Sequence, residues 1–391
     1  MKFVTVNGIN LHYRVDGPDD APWLTLSNSL GTDLTMWSEQ VEALSRHFRV
    51  LRYDTRGHGK SDVPEGPYTV QQLSGDVIGL FDALGIAKSH FCGISMGGLT
   101  GLALGAFYPD RIDRLVLSNT AALIGSAQSW QTRIDAVRER GMAGFAEPVL
   151  DRWFTPGFKS ANAEKMVPLR EVFSATSVEG YAANCQALAT ADLREAAATL
   201  TVPTMVIAGT HDLSTSAEQG RWLAKTIPGA RYLELDAGHI ANIEQAPRYT
   251  RALLDFFRRG AMTDSDHYEA GMEVRRAVLG SAHVDKSLQG LTAFNSEFQN
   301  LITRYAWGDI WTREGLPRHT RSLLTIVMMV ALNRSEELAL HLRAARNNGV
   351  TRDEIKEVLL QSAIYCGVPA ANSAFHLAEH IWRAQDEEPA Q

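Results

Sequence analysis

Short runs of strand composition recur along the chain up to about residue 260 and then stop, and this change of rhythm limits the fold more than any other feature. The runs at 24–27, 50–53, 90–93, 115–118, 205–208 and 232–235 are apolar, and several are bounded by glycine or proline. Stretches of helical periodicity lie between them, and such alternation predicts a mostly parallel sheet covered by helices. The N-terminal Met1-Lys2-Phe3-Val4-Thr5-Val6-Asn7-Gly8 alternates like a strand running into a turn, not like a signal peptide. Residues 123–195 break the rhythm; they read as helical, include Trp130, Trp153 and Tyr181, and predict a cap inserted over a pocket. After a polar linker at 260–266 only helical periodicity remains, with Thr351-Arg352-Asp353-Glu354 as a capping box and Gly349 closing the helix before it. The expected division is an α/β domain over 1–259 and an all-α domain over 267–391, both of ordinary domain size. Residues 386–391 read as a frayed acidic tail.

With 391 residues, 45% of them hydrophobic and 21% charged, both domains have material for a buried core. The formal net charge of −7 argues against a nucleic-acid partner, because phosphate binding needs a basic surface. It leaves room for a small anionic substrate held by a few local arginines. The longest apolar run, 323–332, is too short to cross a bilayer. Cys92, Cys185 and Cys366 are odd in number, far apart and form no CxxC pair. Free thiols in a reducing cytoplasm are expected, rather than a disulfide framework or a structural zinc.

Gly93-Ile94-Ser95-Met96-Gly97 is a G-x-S-x-G nucleophile elbow, with an apolar strand before it and a small-residue helix after it. That setting makes Ser95 the expected nucleophile. The partners of such a serine follow it as acid and then histidine. Asp212, in Gly209-Thr210-His211-Asp212, and His239, in Ala237-Gly238-His239, both come just after predicted strands. Catalytic groups of open α/β sheets sit at these carboxyl ends. His239 would take the serine proton and Asp212 would orient its ring; Asp236 is the rival acid. The oxyanion hole needs two backbone N–H groups, expected from Met96 and from Leu30 in the loop Asn28-Ser29-Leu30-Gly31.

These residues, together with Asp54-Thr55-Arg56-Gly57-His58-Gly59-Lys60-Ser61, carry a resemblance to the α/β-hydrolase family. The overall run of residues 1–259, with Asn-Ser-Leu-Gly in place of the common His-Gly-x-Gly, resembles its 3-oxoadipate enol-lactonase branch. The resemblance implies a lactone substrate; the residues themselves reach only ester or lactone hydrolysis. A carbon–carbon bond hydrolase would keep the same triad, and a receptor-like hydrolase would bind without turnover. A dehalogenase or epoxide hydrolase would want aspartate at position 95. For a carboxylated lactone the cap is expected to supply Arg133 as a cation, with Trp130 and Trp153 as apolar walls.

In the helical region Arg334, Glu337 and His341 have spacings that place them on one helix face, among Leu338, Leu340 and Leu342. Two candidate ligands do not complete a metal site. Four stretches resemble the carboxymuconolactone decarboxylase family, within the wider AhpD-like helical proteins. They are Trp307-Gly308-Asp309-Ile310-Trp311, Gly315-Leu316-Pro317-Arg318, Ala331-Leu332-Asn333-Arg334 and Tyr365-Cys366-Gly367-Val368-Pro369-Ala370-Ala371. The CxxCxxxH motif of that family's redox members is departed from: counted back from His341, the cysteine positions hold Arg334 and Glu337. The resemblance therefore implies decarboxylation, not peroxidase chemistry. The carbanion delocalises into a conjugated lactone, so no cofactor is needed, only carboxylate anchoring and a proton donor. On that reading His341 donates the proton, Glu337 sets its protonation and Arg334 anchors a carboxylate. Arg318 and Arg321 are further candidates for the second one. The helical domain is also expected to drive homo-oligomer assembly. A carboxylesterase fused to a helical oligomerisation module without chemistry is the alternative.

Overall fold

The computed structural model describes residues 2–258, 264–313 and 315–387. By its internal packing the chain divides into Met1–Arg259 and Gly260–Gln391.

The first unit is built on eight strands: β1 (Lys2–Val6), β2 (Ile9–Asp16), β3 (Trp23–Ser27), β4 (Arg49–Tyr53), β5 (Ser89–Ile94), β6 (Ile112–Ser118), β7 (Thr204–Gly209) and β8 (Arg231–Leu235). They form one sheet in the order β1-β2-β4-β3-β5-β6-β7-β8. β1 and β2 pair antiparallel with each other and β2 with β4; all remaining pairs are parallel. Every residue of β5 and β7 is buried, as parallel strands covered on both faces require. The six predicted internal runs all became strands, each lengthened by one to three residues. β2 was not anticipated from the sequence, although Ile9, Leu11 and Val15 alternate with polar residues.

The chain runs from β3 outward to β4 and then returns to place β5 on the other side of β3. This reversal opens a crevice at the carboxyl ends of β3 and β5, the place where open α/β sheets bind ligands. Between β6 and β7 lie the helices Ala127–Trp153, broken at Gly141, Pro156–Ala161, Ala163–Ala175 and Val178–Thr190, which make up the expected cap. Beneath the loops, Arg56 is buried against Asp76 in a double hydrogen bond of 2.6 and 2.7 Å.

The second unit is helical throughout its described residues: Asp264–Leu279, Ser281–Gln289, Ser296–Ile302, a wide π-helical stretch Thr303–Ile310, Arg318–Ala331, Ser335–Ala344, Arg352–Tyr365 and Val368–Glu387. The Thr351 capping box forms as expected, with Thr351 N–H donating to Glu354 Oε2 at 2.9 Å. Gly349 has φ of 75° at the end of the turn before it. The expected linker is shorter on its far side, because residues 264–266 already belong to the first helix; residues 260–263 lie outside the described ones. The expected tail begins inside the last helix, and 388–391 lie outside the described residues. One core joins Ile326, Val330, Leu338, Leu342, Leu359 and Ile381; a second joins Val274, Val278, Val284 and Trp307. Among the described residues no helix is long and apolar enough to cross a membrane.

Candidate active sites

β5 ends at Ile94, and Ser95 follows with φ 57° and ψ −113° before the helix Met96–Phe107 begins. A side chain at that φ is strained, and the turn closes only because its neighbours are glycines. A Cβ at Gly93 would collide with the Gly97 carbonyl, and one at Gly97 with the Ser27 carbonyl of β3. Three hydrogen bonds pin the strained peptide: Ser95 N–H to Ser118 O at 2.9 Å, Thr120 Oγ1 to Ser95 O at 2.8 Å, and Gly97 N–H to Asn28 O at 3.1 Å.

Facing the elbow, the loop after β3 is held by Asn28, whose amide donates to Tyr53 O at 2.8 Å and whose Oδ1 accepts from Trp37 Nε1 at 3.0 Å. The Gly31 N–H donates to His58 Nε2 at 2.8 Å, and the Ser29 N–H is turned to Met36 Sδ at 3.4 Å. Leu30 and Met96 make no such bond among the described residues, so both N–H groups are free for an oxyanion. Burial lowers the His58 pKa to about 4, against smaller raising contributions from the Arg56 carbonyl and the Asp33 charge. His58 is thus the neutral acceptor that fixes this loop.

The loops after β7 and β8 deliver the other two groups. His239 Nδ1 lies 2.8 Å from Asp212 Oδ2. Asp212 also accepts from Ser214 N–H at 2.7 Å, Thr215 N–H at 2.9 Å, Thr215 Oγ1 at 2.9 Å and Asn119 Nδ2 at 3.1 Å. Burial alone would raise its pKa, but the His239 charge and hydrogen bond and the two N–H donors outweigh this and hold the carboxyl below its ordinary value. Asp236 is turned away to an exposed pair with His211 Nε2 at 2.8 Å.

Ser95 and His239 line one cavity of about 180 Å³ together with Leu30, Trp130, Arg133 and Trp153. The same cavity includes Arg152 and Tyr181. Arg152, at the end of the cap's first helix, was not expected from the sequence, where nothing sets it apart from the other arginines of that helix. Arg133 sits over the Trp130 ring, 5.2 Å from its centroid, and Arg152 donates to Leu213 O at 2.6 Å. Neither has a carboxylate partner among the described residues. Burial and then the Arg133 charge push the Arg152 pKa down, so two cations share this pocket.

In the helical unit the expected trio is only partly assembled. Glu337 and His341 lie one turn apart in Ser335–Ala344, but Arg334 caps that helix from outside, with φ −101° and ψ 79°. Arg334 lines a surface groove with Asn333, Ser373, His376 and His380, away from His341. His341 is half-buried, and its pKa is lowered by burial and by His283, with Glu337 opposing. Arg318 is exposed, and Arg321 donates to Arg313 O at 2.7 Å. Leu338 and Leu342 are buried in one core while Leu340 packs on the other. Among the described residues no group of three or more His, Cys, Asp or Glu is placed to hold a metal ion. Of the thiols, Cys92 and Cys185 are buried, with pKa values pushed by burial to about 12, and Cys366 is half-buried.

A doubly covered sheet, a serine on a strained strand–helix elbow and a histidine braced by a carboxylate define a serine hydrolase of the α/β type. Comparison with known proteins agrees: residues 22–246 match the alpha/beta hydrolase fold and residues 296–380 the carboxymuconolactone decarboxylase family. The first unit is 43% identical over 256 residues, 66% of this chain and 96% of the relative, to 3-oxoadipate enol-lactonase 2 of Acinetobacter baylyi. The enol-lactonase structure from Burkholderia xenovorans is 55% identical and matches with a TM-score of 0.65, over 66% of this chain and 100% of that one. The second unit is 54% identical over 122 residues, 31% of this chain and 91% of the relative, to 4-carboxymuconolactone decarboxylase of Acinetobacter baylyi. The chain belongs to the α/β-hydrolase family, and its second unit to the carboxymuconolactone decarboxylase family.

The neutral His58 links pH to stability. Its folded pKa of about 4 lies below the ordinary 6.5, so between those values the unfolded chain binds a proton that the native state refuses. The associated stability is full above pH 6.5 and lost as pH falls toward 4, by up to about 3 kcal/mol. Urea unfolding of the first unit at pH 7 and pH 5 is expected to show this loss, and His58→Gln to flatten the dependence. A histidine NMR titration that puts the His58 midpoint at 6 or above would contradict it.

Proposed function

We propose that this chain catalyses two consecutive reactions, decarboxylation of 4-carboxymuconolactone in the helical unit and hydrolysis of the resulting 3-oxoadipate enol-lactone in the first. The observation that carries the reading is the union, in one chain, of units similar to a 4-carboxymuconolactone decarboxylase and to an enol-lactonase. Their order follows from chemistry. Breaking the bond to the departing carboxylate leaves an electron pair that only an intact conjugated lactone accepts, so ring opening comes second.

In the first unit Ser95 attacks the lactone carbonyl while His239, oriented by Asp212, takes its proton. The Leu30 and Met96 N–H groups hold the oxyanion. Collapse breaks the ring C–O bond, and the enol oxygen receives the proton from His239. The enol rearranges to the ketone, and water activated by His239 then frees Ser95. Arg133 and Arg152 hold the substrate carboxylate, with Trp130 and Trp153 as walls. In the helical unit His341 protonates the dienolate left by carbon dioxide, Glu337 sets its protonation, and Arg334, Arg318 and Arg321 are candidate anchors. The reaction belongs to the protocatechuate branch of the β-ketoadipate pathway, in the cytoplasm, where free thiols stay reduced. The partners are small anionic lactones; a net charge of −7 disfavours nucleic acid and anionic membrane surfaces.

The chain given 4-carboxymuconolactone should yield carbon dioxide and 3-oxoadipate, followed by NMR. Ser95→Ala should still release carbon dioxide and accumulate enol-lactone, with hydrolysis down about 10³-fold or more. His341→Ala should release none yet hydrolyse enol-lactone supplied directly. A Ser95→Ala variant keeping a tenth of wild-type hydrolysis, or a His341→Ala variant decarboxylating normally, would show the assigned site to be wrong.

Recognition of the carboxylate is separable from chemistry. Arg133→Met and Arg152→Met should each raise KM for the enol-lactone by roughly tenfold, the loss of one charge-assisted pair, and leave a neutral ester unaffected. Equal loss on both substrates counts against the assignment.

Assembly rests on exposed apolar side chains of the helical unit: Leu332 at 65%, Ile364 at 79%, Tyr365 at 82% and Val368 at 67% exposure. Surfaces of this kind bury themselves against further copies. Light scattering on residues 262–391 should show an oligomer, and a monomer at micromolar concentration refutes it.

A further inference from the structure

Arg275 lies inside the helical unit and is only 6% exposed. Its Nη1 donates to Thr303 Oγ1 at 3.2 Å, and its Nη2 to Ser287 Oγ and Gln299 Oε1, each at 3.1 Å. All three acceptors are neutral, and its Nε is buried with no partner. No carboxylate of the described residues pairs with it, whereas its neighbour Arg276 is paired to Asp285 at 2.7 Å. A buried cation without a counter-charge is costly, so folded chains rarely keep one unless an anion arrives from outside.

Two further observations tie the arginine to the candidate site. Thr303 opens the π-helical stretch Thr303–Ile310, a wide turn of a kind frequently found at functional sites. Ser287 shares a face with His283, one turn earlier on Ser281–Gln289. The groups facing His283 are cationic: after burial, Arg275, Arg343 and Lys286 lower its pKa. His283 in turn acts on His341, which also faces Glu337. Val274 and Val278 beside Arg275, Val284 beside His283, and Leu340 and Ala344 beside His341 pack into one core that brings these three helices together, while Arg334 lines a different groove.

We propose that Arg275 binds the carboxylate that the substrate keeps, placing the other carboxylate and its ring carbon beside His341. The proposal rests on the decarboxylase reading of this unit. The division between the two carboxylates follows from energetics: an ion pair to the departing group would stabilise the ground state and slow its loss, whereas a pair to the retained arm holds the ring without that penalty. In the step itself the bond from ring carbon to carboxylate breaks. Carbon dioxide leaves, and the electron pair enters the conjugated lactone as a dienolate. One proton then adds to the carbon next to the lactone carbonyl. Arg275 exchanges no proton; it is an anchor.

The test uses the full chain with Ser95→Ala, so that the product is not consumed. The Arg275 Nε–Hε NMR resonance, assigned by its loss in Arg275→Lys, is followed while 4-carboxymuconolactone is added, and carbon dioxide release is measured for wild type, Arg275→Lys and Arg275→Met. The expected result is a saturable shift of that resonance and a KM at least tenfold higher in Arg275→Met, with part of the loss recovered in Arg275→Lys and the circular dichroism unchanged. A resonance that does not move overturns the anchor. So does an Arg275→Met variant with unaltered KM, or a loss of activity that merely follows loss of helix in both variants. If the resonance shifts and no carbon dioxide appears, the anchor stands and the decarboxylase reading fails.

Discussion

The backbone of Ser95, held at φ 57° and ψ −113°, is the constraint on which the first unit is organised. A non-glycine residue there costs about 1–3 kcal/mol and persists only if its surroundings over-determine it. Those surroundings are the sheet itself. β3 and β6 flank β5 and supply the Asn28 and Ser118 carbonyls that receive the Gly97 and Ser95 N–H groups. Beyond them β7 and β8 end in the loops that carry Asp212 and His239. The strand order is thus a device for bringing three distant stretches of sequence to one edge, with the strain at Ser95 borne by parallel pairing on both sides.

The two units hold arginines without a carboxylate partner in different settings. In the first, Arg133 and Arg152 line one pocket, each partly solvated, so that solvent moderates their mutual repulsion. In the second, Arg275 is enclosed by hydroxyl and amide oxygens that orient its guanidinium without neutralising it. Neutral acceptors leave the guanidinium charge uncompensated.

Much of the fold was legible because its signals are local. Apolar runs between glycines and prolines marked the parallel strands, and the elbow needed only five residues in a strand–helix setting. Asp212 and His239 were legible because each closes a strand run. Residues whose roles depend on how helices meet were harder. Arg152 lies on a cap helix where charged residues are ordinary, and only the packed cavity separates it from Arg138 or Arg140. Arg334, Glu337 and His341 share a face only if the helix extends through 334, and it starts one residue later. Arg275 did carry a sequence signal: it sits four residues after Gly271 and three before Val278, both buried, so a charge interrupts the apolar stripe of its helix.

The placement of the three thiols has a practical consequence. Cys92 lies on β5 below the elbow and Cys185 in the cap, both sealed from solvent and held in the unreactive thiol form by burial. Cys366, at the end of Arg352–Tyr365, is the one with partial access. An alkylating dye or spin label therefore has a single natural attachment point, in the helical unit, and reports on that unit's surroundings without engineering and without touching Ser95.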